Sequence, residues 1–247
     1  MALELARRGA RVAVSGRRGD RLQEVVEQIG ALGGEGLAVP CDCTEEEQVR
    51  DAVAAVIEAW DQLDVAIANA GFAVGGAVEE LTADDWRRQL DVNVVGVAMT
   101  ARYAIPHLRA TRGRLALVGS VSGLAYVPNN SAYQASKAAV LALGRTLAME
   151  LAPDGISCTT LQPGFVRSEI AQVDNQGRFD PERVDRRPQA LMWETEPAAR
   201  RMIDAIERRR VEHTFTGHGR FAAFLGRHLP WVIQLAGERM AHQKRPS

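Results

Sequence analysis

The chain has 247 residues, a formal net charge of -1 at pH 7, 25% charged residues and 46% hydrophobic residues. The near balance of charge and the scatter of arginines along the chain argue against nucleic acid as a partner, and the absence of a linker-like stretch predicts one domain over residues 1–247. No run of about 18 apolar residues predicts a transmembrane segment, and three cysteines without metal-ligand spacing (Cys41, Cys43 and Cys158) favour a cytoplasmic protein without a metal site.

Short apolar runs alternate along the chain with segments whose apolar residues recur at helical spacing. This alternation is typical of repeated βα units around a parallel sheet. Almost all residues of the first five runs are apolar, as in strands that are covered on both faces. The pattern therefore predicts a doubly wound, Rossmann-like α/β fold with strands at 11–15, 36–41, 64–68, 114–119, 156–162 and 211–216.

The helical segments have recognisable starts and ends. Residues 2–6 predict a helix that stops at Gly9, Thr44 begins a capping-box motif, and another helix opens at Thr82 and runs towards Pro106. Further helices are predicted near 131–151 and 198–209. Residues 168–197 form a long irregular stretch that is typical of a substrate lid. The tail at 221–241 predicts an amphipathic helix that packs on its own subunit or a partner or, alternatively, contacts a membrane surface peripherally.

Tyr133 and Lys137 form the strongest chemical signal, because residues four apart share one face of a helix. A free tyrosine has a pKa near ~10, and a neighbouring ammonium together with a nicotinamide cation would lower it. We therefore expect Tyr133 to act as an acid and base. By itself the pattern also fits an exposed lysine beside a half-buried tyrosine.

Other polar residues follow predicted strands or interrupt a helix. Ser120 ends one apolar strand and Asn69-Ala70-Gly71 follows another, so both are expected at the carboxyl edge of the sheet, although the second could be an ordinary turn. Asn93 lies inside a predicted helix, where asparagine is unfavourable, and it predicts an interruption that presents polar groups to the site.

In this order and spacing, Asn69-Ala-Gly71, Asn93, Ser120, Tyr133-x-x-x-Lys137 and Pro163-Gly164-x-Val166 resemble the short-chain dehydrogenase/reductase family over nearly the whole chain. The resemblance implies a catalytic tetrad of Asn93, Ser120, Tyr133 and Lys137. Ser120 and Tyr133 would hold the substrate oxygen, and Asn93 would order a water that relays protons.

The resemblance also implies a nicotinamide cofactor. Tyr133 and Lys137 would contact the nicotinamide end. The remaining residues of the implied cofactor site are Asp42 at the adenine, Asn69, Ala70 and Gly71 near the adenine ribose, and Pro163, Gly164, Val166 and Ser168 around the nicotinamide, with Ser168 replacing a more usual threonine.

The turn after the first predicted strand bears on which cofactor is used. NAD-selective relatives place an aspartate there, whereas this chain has Gly16-Arg17-Arg18. Arg17 can bind a 2′-phosphate through its guanidinium, with Arg18 beside it. This sequence predicts a preference for NADP(H) over NAD(H); a solvated surface arginine pair is the alternative interpretation.

One family feature has no counterpart. The glycine-rich TGxxxGxG turn is absent, and the first residues already resemble the helix that follows it, without a capping residue before Ala2. We therefore expect the first strand of the sheet to be missing from this chain, and the functional product to begin about 15–20 residues upstream.

These features predict an NADP(H)-dependent oxidoreductase that transfers a hydride between the nicotinamide and an alcohol or carbonyl carbon. Phe165, Leu191, Met192 and Trp193 indicate a small, apolar substrate. The alternatives are a non-catalytic regulatory or partner-binding relative of the family, and a sugar-nucleotide epimerase or dehydratase. A homodimer or homotetramer is expected.

Overall fold

The structure is a computed structural model that describes residues 1–185 and 187–243. Nine helices and six strands are assigned in these residues. The strands are β1 Val12–Gly16, β2 Gly36–Pro40, β3 Val65–Ala68, β4 Arg114–Val118, β5 Ser157–Leu161 and β6 Glu212–His213. The helices are α1 Ala2–Arg7, α2 Gly19–Ala31, α3 Glu46–Trp60, α4 Ala83–Leu90, α5 Gly96–Thr111, α6 Ser131–Glu150, α7 Thr195–Glu207, α8 Gly217–His228 and α9 Pro230–Gln243.

All strand pairs are parallel, which confirms the predicted α/β fold. The six predicted strands are present, although β6 has only two residues. They form two sheets: β1 pairs with β2, and β3 to β6 pair in chain order. Within the residues described, β1 and β3 each have a strand partner on one side only.

The main core lies on the four-stranded sheet. Leu115 and Leu117 of β4 and Leu161 of β5 have no exposed surface. Helix α6 approaches β5 closely at Gly144, where a Cβ atom would collide with the Thr160 hydroxyl. Glycine at this position therefore sets the distance between α6 and the sheet.

The expectation that the first five strands are buried on both faces is wrong for β3, in which Ala68 is the one buried residue, and for the pair β1 and β2. Val12 is their one buried residue, and it packs with Ala6 of α1 and Ile29 of α2. Because β1 has no described strand on its side towards β3, fewer side chains cover these two strands than cover β4 and β5.

Two predicted helix starts have different outcomes. Thr82 caps α4 and accepts a hydrogen bond from the Asp85 amide at 3.2 Å, as predicted. Thr44 is not a cap, because its hydroxyl instead donates to the Asp42 carboxylate at 2.8 Å, and α3 begins at Glu46. The helix near 198–209 begins earlier than expected, at Thr195, inside the predicted lid.

The tail consists of two helices rather than the single one expected. Helix α8 ends at His228 and α9 begins at Pro230. The proline disfavours a helical conformation at Leu229, which has φ -135° and ψ 55°. Over the described part of the chain, none of the helices has both the length and the apolar character needed to cross a membrane.

Candidate active site

Three strand ends bring the predicted site residues to one edge of the four-stranded sheet. Asn69 follows β3, Ser120 comes two residues after β4, and Pro163 comes two residues after β5. Because the strands are parallel and adjacent, these residues share the carboxyl edge, where ligands bind in open α/β sheets.

Asn93 lies where the helix is interrupted. Residues Asp91–Val95 form a π-helical turn between α4 and α5, so the predicted interruption is present. The fully buried Asn93 side chain accepts a hydrogen bond from the Phe72 amide at 3.1 Å and donates to the Phe72 carbonyl at 3.0 Å. One helical turn earlier, Gln89 Nε2 donates to the same carbonyl at 2.9 Å.

A second contact of Asn93 connects it to α6. Its Nδ2 donates to Ser136 Oγ at 3.0 Å, and Ser136 Oγ donates to the Tyr133 carbonyl at 2.7 Å. Gln89 and Ser136 were not singled out from the sequence. Their signals were available: Gln89 lies four residues before Asn93, and Ser136 lies inside the Tyr133-to-Lys137 motif.

Lys137 is buried beside the tyrosine, with 4% of its surface exposed. Its Nζ donates to the Val118 carbonyl at 2.8 Å and lies 5.7 Å from the centroid of the Tyr133 ring. Burial lowers the pKa of Lys137 from 10.5 to about 8. Glycine at position 71 makes room chiefly for Asn93, since a Cβ there would lie 3.2 Å from Asn93 Oδ1, whereas its distance of 3.5 Å from Lys137 Nζ would be an ordinary contact.

The expected lowering of the Tyr133 pKa by Lys137 is not present in the protein alone. Burial raises the pKa of Tyr133 above 10.0, and only the Ser120 side chain and the charge of Arg187 act in the opposite direction. Lys137 is not among the resolved influences on this pKa, and its ammonium donates to the Val118 carbonyl. The phenol therefore stays protonated at neutral pH.

Arg187 was not predicted, and it comes from the lid. Its guanidinium binds the Asp185 carboxylate with contacts of 2.8 to 3.1 Å and donates to the Val166 carbonyl at 3.2 Å and the Ser168 carbonyl at 3.1 Å. This residue therefore attaches the lid to the segment after β5. Its link to the segment after β5 has no local sequence signal, since the acceptors there are the Val166 and Ser168 backbone carbonyls.

The Pro163-Gly164 turn is held on both sides. The Val121 amide donates to the Pro163 carbonyl at 3.0 Å, and the Trp193 amide donates to the Phe165 carbonyl at 2.9 Å. Val166 forms a parallel bridge with Trp193. Ser168 is exposed, and its hydroxyl reaches only its neighbour, the Val166 carbonyl, at 3.5 Å.

The predicted cofactor-selecting residues gather at the two-stranded sheet. Arg17 follows β1 and lies 3.8 Å from the Asp42 carboxylate, which follows β2. Arg17 and the next residue, Arg18, also contact the lid, and the sequence did not indicate these contacts. Arg17 donates to the Gly177 carbonyl at 3.3 Å, and Arg18 pairs with Glu169 at 2.6 Å.

The side chains fit a nicotinamide dinucleotide at its two ends. Ser120, Tyr133 and Lys137 present hydroxyl and ammonium groups at one sheet edge, as required to hold a ribose and a substrate oxygen. Arg17, with 62% of its side chain exposed, supplies a cation that can bind an additional phosphate. The structure thus places Ser120 just after β4, with Asn93, Tyr133 and Lys137 on the helical segments beside it, and groups Arg17, Arg18 and Asp42 just after β1 and β2.

Comparison with known proteins gives the same family over most of the chain. Residues 1–178 match the sequence model of the short chain dehydrogenase family. The 11-beta-hydroxysteroid dehydrogenase A of Sesamum indicum is 36% identical over 174 residues, which are 70% of this chain and 50% of that protein. The hydroxynaphthalene reductase arp2 of Aspergillus fumigatus is 32% identical over 182 residues, which are 73% of this chain and 66% of that protein.

Solved structures are similar as well. An alcohol dehydrogenase from Thermococcus sibiricus, complexed with 5-hydroxy-NADP, superposes with a TM-score of 0.75 at 26% identity and covers 87% of this chain and 88% of that one. A short-chain type dehydrogenase/reductase from Mycobacterium marinum has a TM-score of 0.64 at 35% identity, with 67% and 69% coverage. By its family match and its relatives, the chain belongs to the short-chain dehydrogenase/reductase family.

Proposed function

We propose that the protein is an NADP(H)-dependent oxidoreductase that interconverts an alcohol and a carbonyl compound. The observation that carries this proposal is the linked set at the sheet edge. Asn93, Ser136 and the Tyr133 backbone are hydrogen bonded in series, and Lys137 is buried beside the Tyr133 ring. Burying the charged Lys137 beside these three linked residues costs folding energy, which favours a catalytic role over a purely structural one.

The side chains divide the acid–base work between them. When bound, the cofactor supplies or accepts the hydride. In reduction, the Ser120 hydroxyl donates a hydrogen bond to the carbonyl oxygen, and Tyr133 Oη transfers its proton to that oxygen. In oxidation Tyr133 takes the proton back. The raised pKa of Tyr133 keeps the phenol protonated at neutral pH, which suits the reductive direction.

Arg17 is the residue that we propose to select NADP(H). Arg18 is already paired with Glu169 at 2.6 Å and lies 5.3 Å above the Phe179 ring. Arg17 has a looser ion pair, 3.8 Å from Asp42, and is mostly exposed. Its guanidinium also donates to the Gly177 carbonyl at 3.3 Å, a neutral acceptor that it can exchange for charge-assisted hydrogen bonds with a 2′-phosphate, which NAD lacks.

We propose an apolar substrate because aromatic side chains follow the Pro163-Gly164 turn. Phe165 and Trp193 are joined through their backbones, and the Trp193 ring lies edge-on to Phe215 at 5.7 Å. The names of two relatives point the same way, since one is a hydroxysteroid dehydrogenase and the other a hydroxynaphthalene reductase.

We also propose that the protein is a homodimer or homotetramer in the cytoplasm. Phe221 and Phe224 on α8 and Trp231 on α9 are more than half exposed, which favours a covered surface in the working protein. Peripheral contact of α8 and α9 with a membrane is the alternative. The three cysteines are free thiols, in keeping with a reducing compartment.

Steady-state kinetics with both cofactors test the proposal. A panel of apolar ketones and alcohols is assayed by nicotinamide absorbance, comparing the parent with Arg17→Ala. As control, Arg21→Ala removes an exposed arginine of α2 that pairs with Glu24. We expect a higher kcat/KM with NADPH than with NADH, and Arg17→Ala to lose about 10- to 100-fold with NADPH alone.

Three other results would change the proposal. Equal kcat/KM for both cofactors in the parent contradicts the preference for NADP(H). NADPH binding without turnover of any alcohol or ketone favours a regulatory member of the family. Turnover of a nucleotide sugar favours an epimerase or dehydratase.

A further inference from the structure

His218, the second residue of α8, lies against the turn that we assign to the nicotinamide site. The Phe165 amide donates a hydrogen bond to His218 Nε2 at 2.9 Å. The imidazole also stacks on the Phe165 ring, with centroids 5.3 Å apart and planes 23° apart. His218 therefore contacts both the backbone and the side chain of the residue after Pro163-Gly164.

The contact leaves the imidazole little room to move. A Cβ atom at Gly164 would collide with His218 Nε2 and with the Thr216 hydroxyl. Thr216 caps α8, and its hydroxyl accepts a hydrogen bond from the Gly219 amide at 3.2 Å. The start of α8 and the turn after β5 are thus packed as one unit, with glycine at their closest approach.

The hydrogen bond from Phe165 differs in kind from the others that hold the turn. Val121 and Trp193 hold the Pro163 and Phe165 carbonyls through backbone amides. The acceptor for the Phe165 amide is a side-chain nitrogen that can be protonated. To accept at Nε2, the imidazole must be neutral and carry its proton on Nδ1.

We propose that His218 is a positioning residue that holds the Pro163-Gly164-Phe165 turn in place only while its imidazole is neutral. Protonation turns the Nε2 acceptor into a donor that faces the Phe165 amide, another donor. The turn then loses a hydrogen bond and is pushed away from α8. This inference rests on the proposed function, because it assumes that the turn contacts the nicotinamide.

The surroundings of His218 set the pH range. Burial lowers its pKa from 6.5, and no charged side chain has a resolved effect on it in the part of the chain described. The elements that pack on it, the 163–165 turn and the turn Val121–Gly123, contain no ionisable side chain, and α8 itself also carries Arg220, Arg227 and His228, all of which are exposed. The hydrogen bond is therefore intact at neutral pH and is lost as the pH falls through the lowered pKa.

The free energy of unfolding should also depend on the protonation of His218. The unfolded chain takes up this proton as the pH falls below 6.5, whereas the folded chain resists it. The contribution of His218 to the free energy of unfolding is therefore complete above 6.5, decreases below it, and levels off under the folded pKa.

Two variants separate the hydrogen bond from the packing. In His218→Gln, an amide oxygen that does not titrate can accept from the Phe165 amide. His218→Phe keeps a ring to stack on Phe165 but has no acceptor. Kd for NADPH by calorimetry and kcat/KM are measured from pH 5 to 8, with His228→Gln as control, an exposed histidine at the other end of α8.

We expect the parent to lose about five- to tenfold in NADPH affinity on the acid side. His218→Gln should keep the neutral-pH affinity and lose this acid dependence. His218→Phe should show the weaker affinity at every pH. His228→Gln should behave as the parent does.

Nuclear magnetic resonance of the cofactor-free protein provides a readout that does not depend on activity. Imidazole nitrogen shifts should show an Nδ1-protonated tautomer for His218, and the Phe165 amide resonance should titrate with the same midpoint in the parent but not in His218→Gln. An Nε2-protonated tautomer, or a Phe165 amide that does not respond to pH, would overturn the inference. Absence of NADPH binding together with a normal titration would instead contradict the proposed function alone.

Discussion

The two sheets differ in how tightly they hold their functional residues. In the four-stranded sheet, Leu115 and Leu117 are fully buried, and the neighbouring Asn93 and Lys137 are buried with their polar groups paired. In the two-stranded sheet most residues are half-buried, and Arg17 at its edge has 62% of its side chain exposed.

The difference between the two sheets matches two separate requirements of the proposed reaction. Proton transfer depends on desolvated groups at fixed positions, so its residues belong in a rigid core. Recognition of an additional phosphate needs one accessible cation, which an exposed turn supplies at little cost to stability. Substitutions in the four-stranded region should therefore reduce activity or stability strongly, whereas substitutions in the two-stranded region should reduce them little.

The largest effect is expected from Tyr133→Phe, which removes the hydroxyl that we propose as the proton donor. We expect kcat to fall by about 10²- to 10⁴-fold while circular dichroism and thermal stability change little. Tyr126→Phe is the matched control, since the hydroxyl of this half-exposed tyrosine reaches only the Gly123 carbonyl at 3.4 Å. Near-parental turnover of Tyr133→Phe would show that the tetrad is assigned wrongly.

Lys137→Met tests the cost of burying a cation in the catalytic region. A pKa of about 8 in place of 10.5 corresponds to about 3 kcal/mol of destabilisation at neutral pH. We expect the variant to be inactive but more stable than the parent by about 1–3 kcal/mol in urea at pH 7.

The difference in stability between Lys137→Met and the parent should shrink as the pH rises. Below pH 8 both folded and unfolded parent chains hold the Lys137 proton, so the difference is constant. Between 8 and 10.5 the folded chain releases its proton first, so the parent gains stability and the difference narrows. A variant that is less stable than the parent at every pH would contradict this explanation.

Asn93→Ala tests whether burial makes a hydrogen-bond pair more important. The substitution leaves the Phe72 amide without its partner, and we expect a loss of about 1–3 kcal/mol in the free energy of unfolding. Asn175 makes the same kind of pair, with the Gly75 amide at 3.1 Å and carbonyl at 2.8 Å, but nearer the surface. Asn175→Ala should cost less than ~1 kcal/mol; equal losses would show that burial does not decide the effect.

The smallest effects compare one glycine from each region. Gly144→Ala forces α6 away from Thr160 and should cost about 1–3 kcal/mol. Gly30 lies in α2 with nothing within 4 Å of an added Cβ, so Gly30→Ala should be neutral or stabilise by up to ~1 kcal/mol. Urea denaturation of both variants measures the contrast, and similar losses would refute the difference between the two regions.

Much of the fold was predictable because it follows from local pattern. Alternating apolar runs located all six strands, and helical spacing with the capping residue Thr82 located α4. The failure at Thr44 also has a local cause. Asp42, two residues away, competes for the hydroxyl, and a capping-box pattern does not account for such a competitor.

The sequence predicted which residues lie at the candidate site but did not predict their pKa values. The motifs identified Asn93, Ser120, Tyr133 and Lys137, and the π-helical turn at Asn93 followed from a residue unsuited to a helix. The sequence did not predict that the pKa of Tyr133 is raised. That direction depends on how many atoms surround the phenol in the folded protein.

The amino-acid order alone thus specifies the βα alternation, the strand ends that carry polar residues and the spacing of Tyr133 and Lys137, since each depends on neighbours along the chain. Tertiary packing decides the rest. The contacts of Arg18 with Glu169, of Arg187 with the Val166 and Ser168 carbonyls, and of His218 with the Phe165 amide join residues from separate elements. Desolvation and such long-range hydrogen bonds exist only after the chain has folded, so no local pattern contains them.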